Sequence, residues 1–146
     1  MVIKVNIATK DGKTFRKEFE SVEPIFGKAI GEKVDGSDVF PDLAGYSLEI
    51  KGTSDIAGLP GMKGETGVGI RRKLLTRGFG MKQTEKGMKR RKTLRGEMIS
   101  DKTAQINFVI VKQGGKKLEE IFPDQNLPKP KVEEKVEEKP VEVQAA

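Results

Sequence analysis

Eleven Lys and Arg side chains against one carboxylate, Glu85, fill residues 71–95. That stretch carries +10 in a chain whose total is +6, so everything else sums to −4 and the basicity is local. The ordinary reading of a basic run is a solvated face. Here the density is too high for that, because without phosphates or condensed anions the cations repel one another with little to offset them. Arg71, Arg72, Arg77, Arg90, Arg91 and Arg95 can fork onto phosphate oxygens or stack on exposed bases, whereas Lys73, Lys82, Lys86, Lys89 and Lys92 act as point charges. Lys63, in a glycine-rich stretch just upstream, joins these as a candidate contact. No helix-turn-helix, zinc finger or basic zipper can be drawn, and a loop-borne cluster suits an irregular RNA surface better than a regular DNA groove. Phe79 is the one aromatic in the segment, so phosphates are expected to supply most of the affinity and base stacking a minor part.

Other chemistry is narrow. The sequence has no Cys and no His, which removes disulfides, thiolate nucleophiles, Ser-His triads and all His or Cys metal sites. An enzyme working with Asp, Glu and Lys remains a rival, but no carboxylates pair convincingly. Asp35, Asp38 and Asp42 suggest a calcium loop until Tyr46 appears where the bidentate Glu belongs, so they read as turn formers. GETGVG at 64–69 has glycines at GxxGxG spacing instead of GxGxxG, and no Walker sequence exists. No cofactor, metal, small-molecule substrate or catalytic residue is expected. The opening MVIKVNIATK alternates and does not read as a secretory signal, and no stretch approaches the roughly 18 apolar residues of a membrane span. A soluble, cytoplasmic protein is the expectation.

The elements that must hold this charge read mainly as β structure. Ile3, Val5 and Ile7 alternate with polar residues, pass through Asp11-Gly12 and return to Phe15 and Phe19, which predicts a hairpin. SVEPIFGKAI at 21–30 predicts one short helix. Tyr46, Leu48 and Ile50 mark a half-buried strand at 45–52, followed by a glycine-rich loop at 53–69 and a strand at 71–78. Residues 92–100 and 103–113 predict a second hairpin about Asp101-Lys102, with Ile106, Phe108 and Ile110 on its buried face. After Phe122 the sequence turns to Pro, Lys and Glu in near balance, too poor in apolar surface to offset its chain entropy. The expected architecture is a small β-barrel-like domain at 1–122, built from hairpins with one short helix, and a disordered tail at 123–146. With 35% hydrophobic and 34% charged residues, such a domain can bury only one modest core.

Three ordered stretches, GYSLEIKGTSDIAGLPGMKG, RRKLLTRGFG and GMKRRKTLRGEMISDKTAQINFVIVKQG, together with IGEKVDG at 30–36, resemble the ribosomal protein S-six-e family of archaeal and eukaryotic small subunits. The resemblance runs over about residues 2–113. It implies a β-barrel-like domain bound to small-subunit rRNA among neighbouring ribosomal proteins, with structural and assembly roles and no catalysis. By matched position, Arg71, Arg72 and Lys73, and Lys89, Arg90, Arg91, Lys92 and Arg95, fall where the family faces rRNA. Met81-Lys82-Gln83 replaces an aromatic-Arg-Pro run common in the family, and Leu59-Pro60-Gly61-Met62 replaces a Phe-Pro-Met run. Eukaryotic members continue into a basic helix with phosphorylated serines; here no Ser follows Ser100, so that regulation is expected to be absent. The alternative function is a non-ribosomal RNA-binding protein acting in translational control.

Overall fold

Ile3, Val5 and Ile7 are fully buried while Lys4 between them is exposed, the mark of a strand packed on one face. They form β1 (Ile3–Ala8), which pairs antiparallel with β2 (Thr14–Phe19), setting Ile7 opposite Phe15 and Ile3 opposite Phe19. Gly12 supplies the positive φ, 85°, that the tight connection needs. The computed structural model describes residues 2–19, 23–82, 85–116, 118–122 and 125. Its further elements are β3 (Lys33–Asp35), α1 (Gly36–Val39), β4 (Ser47–Asp55), β5 (Ile70–Leu75), β6 (Arg90–Arg95), β7 (Thr103–Lys112) and α2 (Leu118–Ile121), with 3-10 turns at Glu23–Ile25 and Pro41–Leu43.

Five strands make one sheet in the order β2-β1-β7-β4-β3, and β5 with β6 makes a separate two-stranded ribbon. β7 is central. It runs parallel to β1, with Val5 opposite Ile106, and antiparallel to β4, with Ile50 opposite Phe108. The buried face of this sheet is closed by Ile25, Phe40, Leu43 and Ile99, and by Phe122, whose ring stacks on Phe15 at 5.6 Å. On the opposite face Asn6 and Gln105 both donate to Asn107 Oδ1, at 2.9 and 3.0 Å, a polar ladder suited to solvent.

The mainly β expectation holds, with three corrections. The sheet is open and does not close into a barrel. The second hairpin does not form: β7 already has both edges occupied by β1 and β4, so β6 has no edge of β7 to join and pairs with β5. The helix expected at 21–30 is, among the described residues, only the turn at Glu23–Ile25; Gly27 at φ 79° and Gly31 at φ 101° interrupt anything longer. Apart from Gln125, the expected tail at 123–146 lies outside the described residues. The Gln125 side-chain amide donates to the Arg16 carbonyl and accepts from the Arg16 N–H, both at 2.6 Å, covering the outer edge of β2 as a partner strand would.

Candidate nucleic-acid interface

β5 and β6 carry the cations in a defined register. Arg72 lies opposite Thr93, Lys73 opposite Lys92, Leu74 opposite Arg91 and Leu75 opposite Arg90. Two directly opposed lysines are destabilising in a strand pair, and a lone two-stranded ribbon is marginal in water even without that. The ribbon also buries little of itself, since Arg71, Arg72, Lys73, Leu74, Arg90, Arg91 and Lys92 are all exposed. Leu75, Leu94 and Arg95 are the buried exceptions, and the turn at Gly80 sits against the two leucines.

What stabilises the ribbon lies at one end, where the glycine-rich loop joins it to the sheet. The Arg95 N–H donates to the Pro60 carbonyl, and the Arg95 carbonyl accepts from the Met62 N–H, both at 3.0 Å. The Gly96 N–H donates to Gly69 O at 3.0 Å and the Glu97 N–H to Glu65 O at 2.9 Å. The two backbones meet so closely that a Cβ on Gly96 would fall 1.8 Å from the Gly67 carbonyl oxygen, so only glycine fits there. The closely spaced glycines of GETGVG are thus used for chain-to-chain packing, and Gly64 N–H donates to the Glu97 carboxylate at 2.8 Å.

Arg95 itself is turned inward. It is 9% exposed, and its Nη1 donates to Asp55 Oδ2 at 2.8 Å while Nη2 donates to Ser100 Oγ at 3.3 Å. Its Nε has no hydrogen-bond partner among the described residues. Asp55 closes β4 and Arg95 closes β6, so this ion pair bolts the ribbon to the sheet. The sequence places Arg95 among the phosphate contacts; in the structure its guanidinium is engaged by a buried carboxylate forty positions away in sequence, a partner that local spacing does not reveal.

The remaining candidates point outward. Lys63, Arg71, Arg72, Lys73, Arg77, Lys82, Lys86, Lys89, Arg90, Arg91 and Lys92 are exposed. Glu65 bridges two of them, accepting from Arg71 Nη1 at 2.8 Å and Lys73 Nζ at 2.5 Å. The hydrogen bond from Lys73, then that from Arg71, holds the Glu65 carboxyl below its ordinary pKa. Among the described residues no carboxylate lies within ion-pair distance of Arg72, Arg77, Lys82, Lys86, Lys89, Arg90, Arg91 or Lys92. The sequence reading missed Asp55, Ser100 and Glu65. Only Glu65 had a local signal, as a carboxylate six and eight positions before Arg71 and Lys73.

Such a surface, cationic, exposed on two faces and tied down at one end, can lie along a folded polyanion and neutralise several phosphates at once. Comparison with known proteins agrees in character. The chain is 39% identical over 122 residues to a small ribosomal subunit protein eS6 of Nanoarchaeum equitans, covering 83% of this chain and 90% of the relative. It is 41% identical to that of Methanothermobacter thermautotrophicus, covering 84% and 96%, and 40% identical to that of Archaeoglobus fulgidus, covering 77% and 88%. The family model described as ribosomal protein S6e matches residues 3–123. This chain belongs to the ribosomal protein S6e family.

Proposed function

We propose that this protein is a structural constituent of the small ribosomal subunit, acting in translation in the cytoplasm and holding small-subunit rRNA with the β5–β6 ribbon and its flanking loops. The contacts are Lys63, Arg71, Arg72, Lys73, Arg77, Lys82, Lys86, Lys89, Arg90, Arg91 and Lys92, with Arg95 as the residue that positions them. Its partners are rRNA and neighbouring ribosomal proteins, and its role is bracing, not catalysis. One observation carries the reading: a ribbon whose cations have, among the described residues, few acidic partners is fastened at its end to a well-packed sheet.

If about seven phosphates are neutralised, log K for an rRNA fragment falls with log salt at a slope near −6, at about −0.9 per contact in duplex and less in single strands. A flat salt dependence overturns the electrostatic step. Sedimentation decides between the ribosome and a free RNA-binding role: a structural constituent stays with salt-washed small subunits at near-unit stoichiometry, whereas a translational-control protein washes off.

A further inference from the structure

Between the ribbon's connecting loop and the main sheet lies an open cleft of about 300 Å³. Phe79, Met62 and Ile30 form its apolar wall, and Glu49, Lys51 and Lys63 its polar side. Phe79 is 54% exposed, a large ring left half in water at the mouth of a cleft, where a flat partner would remove its apolar area from solvent. The Lys63 ammonium rests on bare backbone: a Cβ on Gly31 would come within 2.8 Å of its Nζ. Glu49 Oε1 accepts from Lys51 Nζ at 2.7 Å, and that hydrogen bond, with the charges of Lys51, Lys63 and Lys33, keeps the carboxyl below its ordinary pKa. Three lysines around one carboxylate leave a surplus of two positive charges, enough to attract a phosphate and not cancelled by it.

We propose that this cleft receives one unpaired RNA base, stacked on Phe79, with its phosphate on Lys63 and Lys51 and an exocyclic amino group donating to Glu49. The inference rests on the rRNA-binding reading above and adds a selective contact to it. The cleft is continuous with the cationic ribbon, because Met62 N–H donates to the Arg95 carbonyl on β6, so a strand lying along β5 and β6 passes its mouth. Stacking is sequence-tolerant, since every base has a π-face, but the carboxylate is an acceptor only. Adenine, cytosine and guanine can donate an exocyclic amino group to it; uracil has none.

The test uses the full chain and a single-stranded RNA hexamer containing one 2-aminopurine, whose emission is quenched on stacking. Wild type should quench it on binding. Phe79→Ala should abolish the quench and weaken binding about ten-fold, within the range measured for base–aromatic stacking, while leaving the salt slope unchanged. Phe79→Leu should behave like alanine, because an apolar side chain without a ring cannot stack. Glu49→Ala should remove the preference for an all-adenine over an all-uracil hexamer. If Phe79→Leu binds the hexamer as tightly as wild type, the ring does not stack on a base and the base proposal is overturned. If Phe79→Ala binds and quenches like wild type while neutralising Arg90, Arg91 and Lys92 still weakens binding, the cleft proposal alone is overturned. If neither set of changes alters binding, the rRNA reading is overturned with it.

Discussion

The five-stranded sheet and the β5–β6 ribbon are made of the same secondary structure and obey opposite rules. In the sheet, Ile3, Val5, Ile7, Leu48, Ile50, Ile106, Phe108 and Ile110 alternate along β1, β4 and β7, are buried to 0–3% and join one core. In the ribbon both faces meet solvent, lysine opposes lysine, and order is borrowed from a junction of backbone hydrogen bonds and one buried ion pair. The difference teaches that this chain keeps its packed core and its cationic surface in separate places. A cationic surface cannot also be a core, because desolvated cations without partners are too costly to bury.

The comparison breaks first at the core if it breaks at all. Phe108 is 1% exposed in the central strand, so Phe108→Ala should cost about 3–5 kcal/mol, read from urea unfolding followed by far-UV circular dichroism. A loss under about 1 kcal/mol would mean that the sheet is not the seat of stability.

The junction comes next. Asp55→Ala strands the Arg95 guanidinium in a buried site and removes one of two acceptors for Ile56 N–H, the Lys102 carbonyl at 3.1 Å being the other, a change worth about 3 kcal/mol. Replacing the pair together, Asp55→Leu with Arg95→Met, should recover much of that, because no charge is then left buried. A double change as damaging as Asp55→Ala would show that the ion pair fixes the ribbon's orientation in a way apolar packing cannot imitate.

On the ribbon itself the effects should change kind. Arg90→Gln, Arg91→Gln and Lys92→Gln together should leave stability within about 0.5 kcal/mol, as for surface substitutions generally. The salt slope for an rRNA fragment should become shallower by about 2.7, at about 0.9 per lost contact. Destabilisation on the scale of the core substitution would erase the distinction between the two regions.

How much of this was legible in the sequence follows the same division. Alternation in β1, β4 and β7 is a local property, so Ile3, Val5, Ile7, Leu48, Ile50, Ile106, Phe108 and Ile110 could be assigned to a buried face, and all of them are buried. The pairing of strands is not local. Thr103–Lys112 follows Arg90–Arg95 closely enough to suggest a hairpin, yet β1, about a hundred residues earlier, takes one edge of β7 and β4 the other. The site divides likewise. Charge density shows that residues 71–95 are cationic, and it cannot show that Arg95 differs from Arg91, because the difference is made by Asp55 at the far end of β4. The glycines at 53–69 were legible as allowing sharp turns and a close backbone approach, but not that the approaching chain is Gly96 against Gly67.

Glu65 offers the smallest effect and the sharpest comparison, since among the described residues it is the carboxylate that pairs with Arg71 and Lys73. Its carboxyl is held below the ordinary value of 4.5, first by the Lys73 hydrogen bond and then by that of Arg71. A lowered folded pKa means that the unfolded chain takes up the proton first, so the pair's stabilisation is complete above the unfolded value and is lost as pH falls through the folded one. Wild type should therefore exceed Glu65→Gln in stability by a small, constant margin at neutral pH, and the margin should shrink below 4.5. A margin that persisted undiminished into acid would mean that Glu65 acts through shape and not charge. The same substitution frees Arg71 and Lys73 for phosphate, so RNA affinity should rise slightly as stability falls. That opposite movement of the two readouts in one variant is what a division between folding and recognition requires, and a parallel fall in both would contradict it.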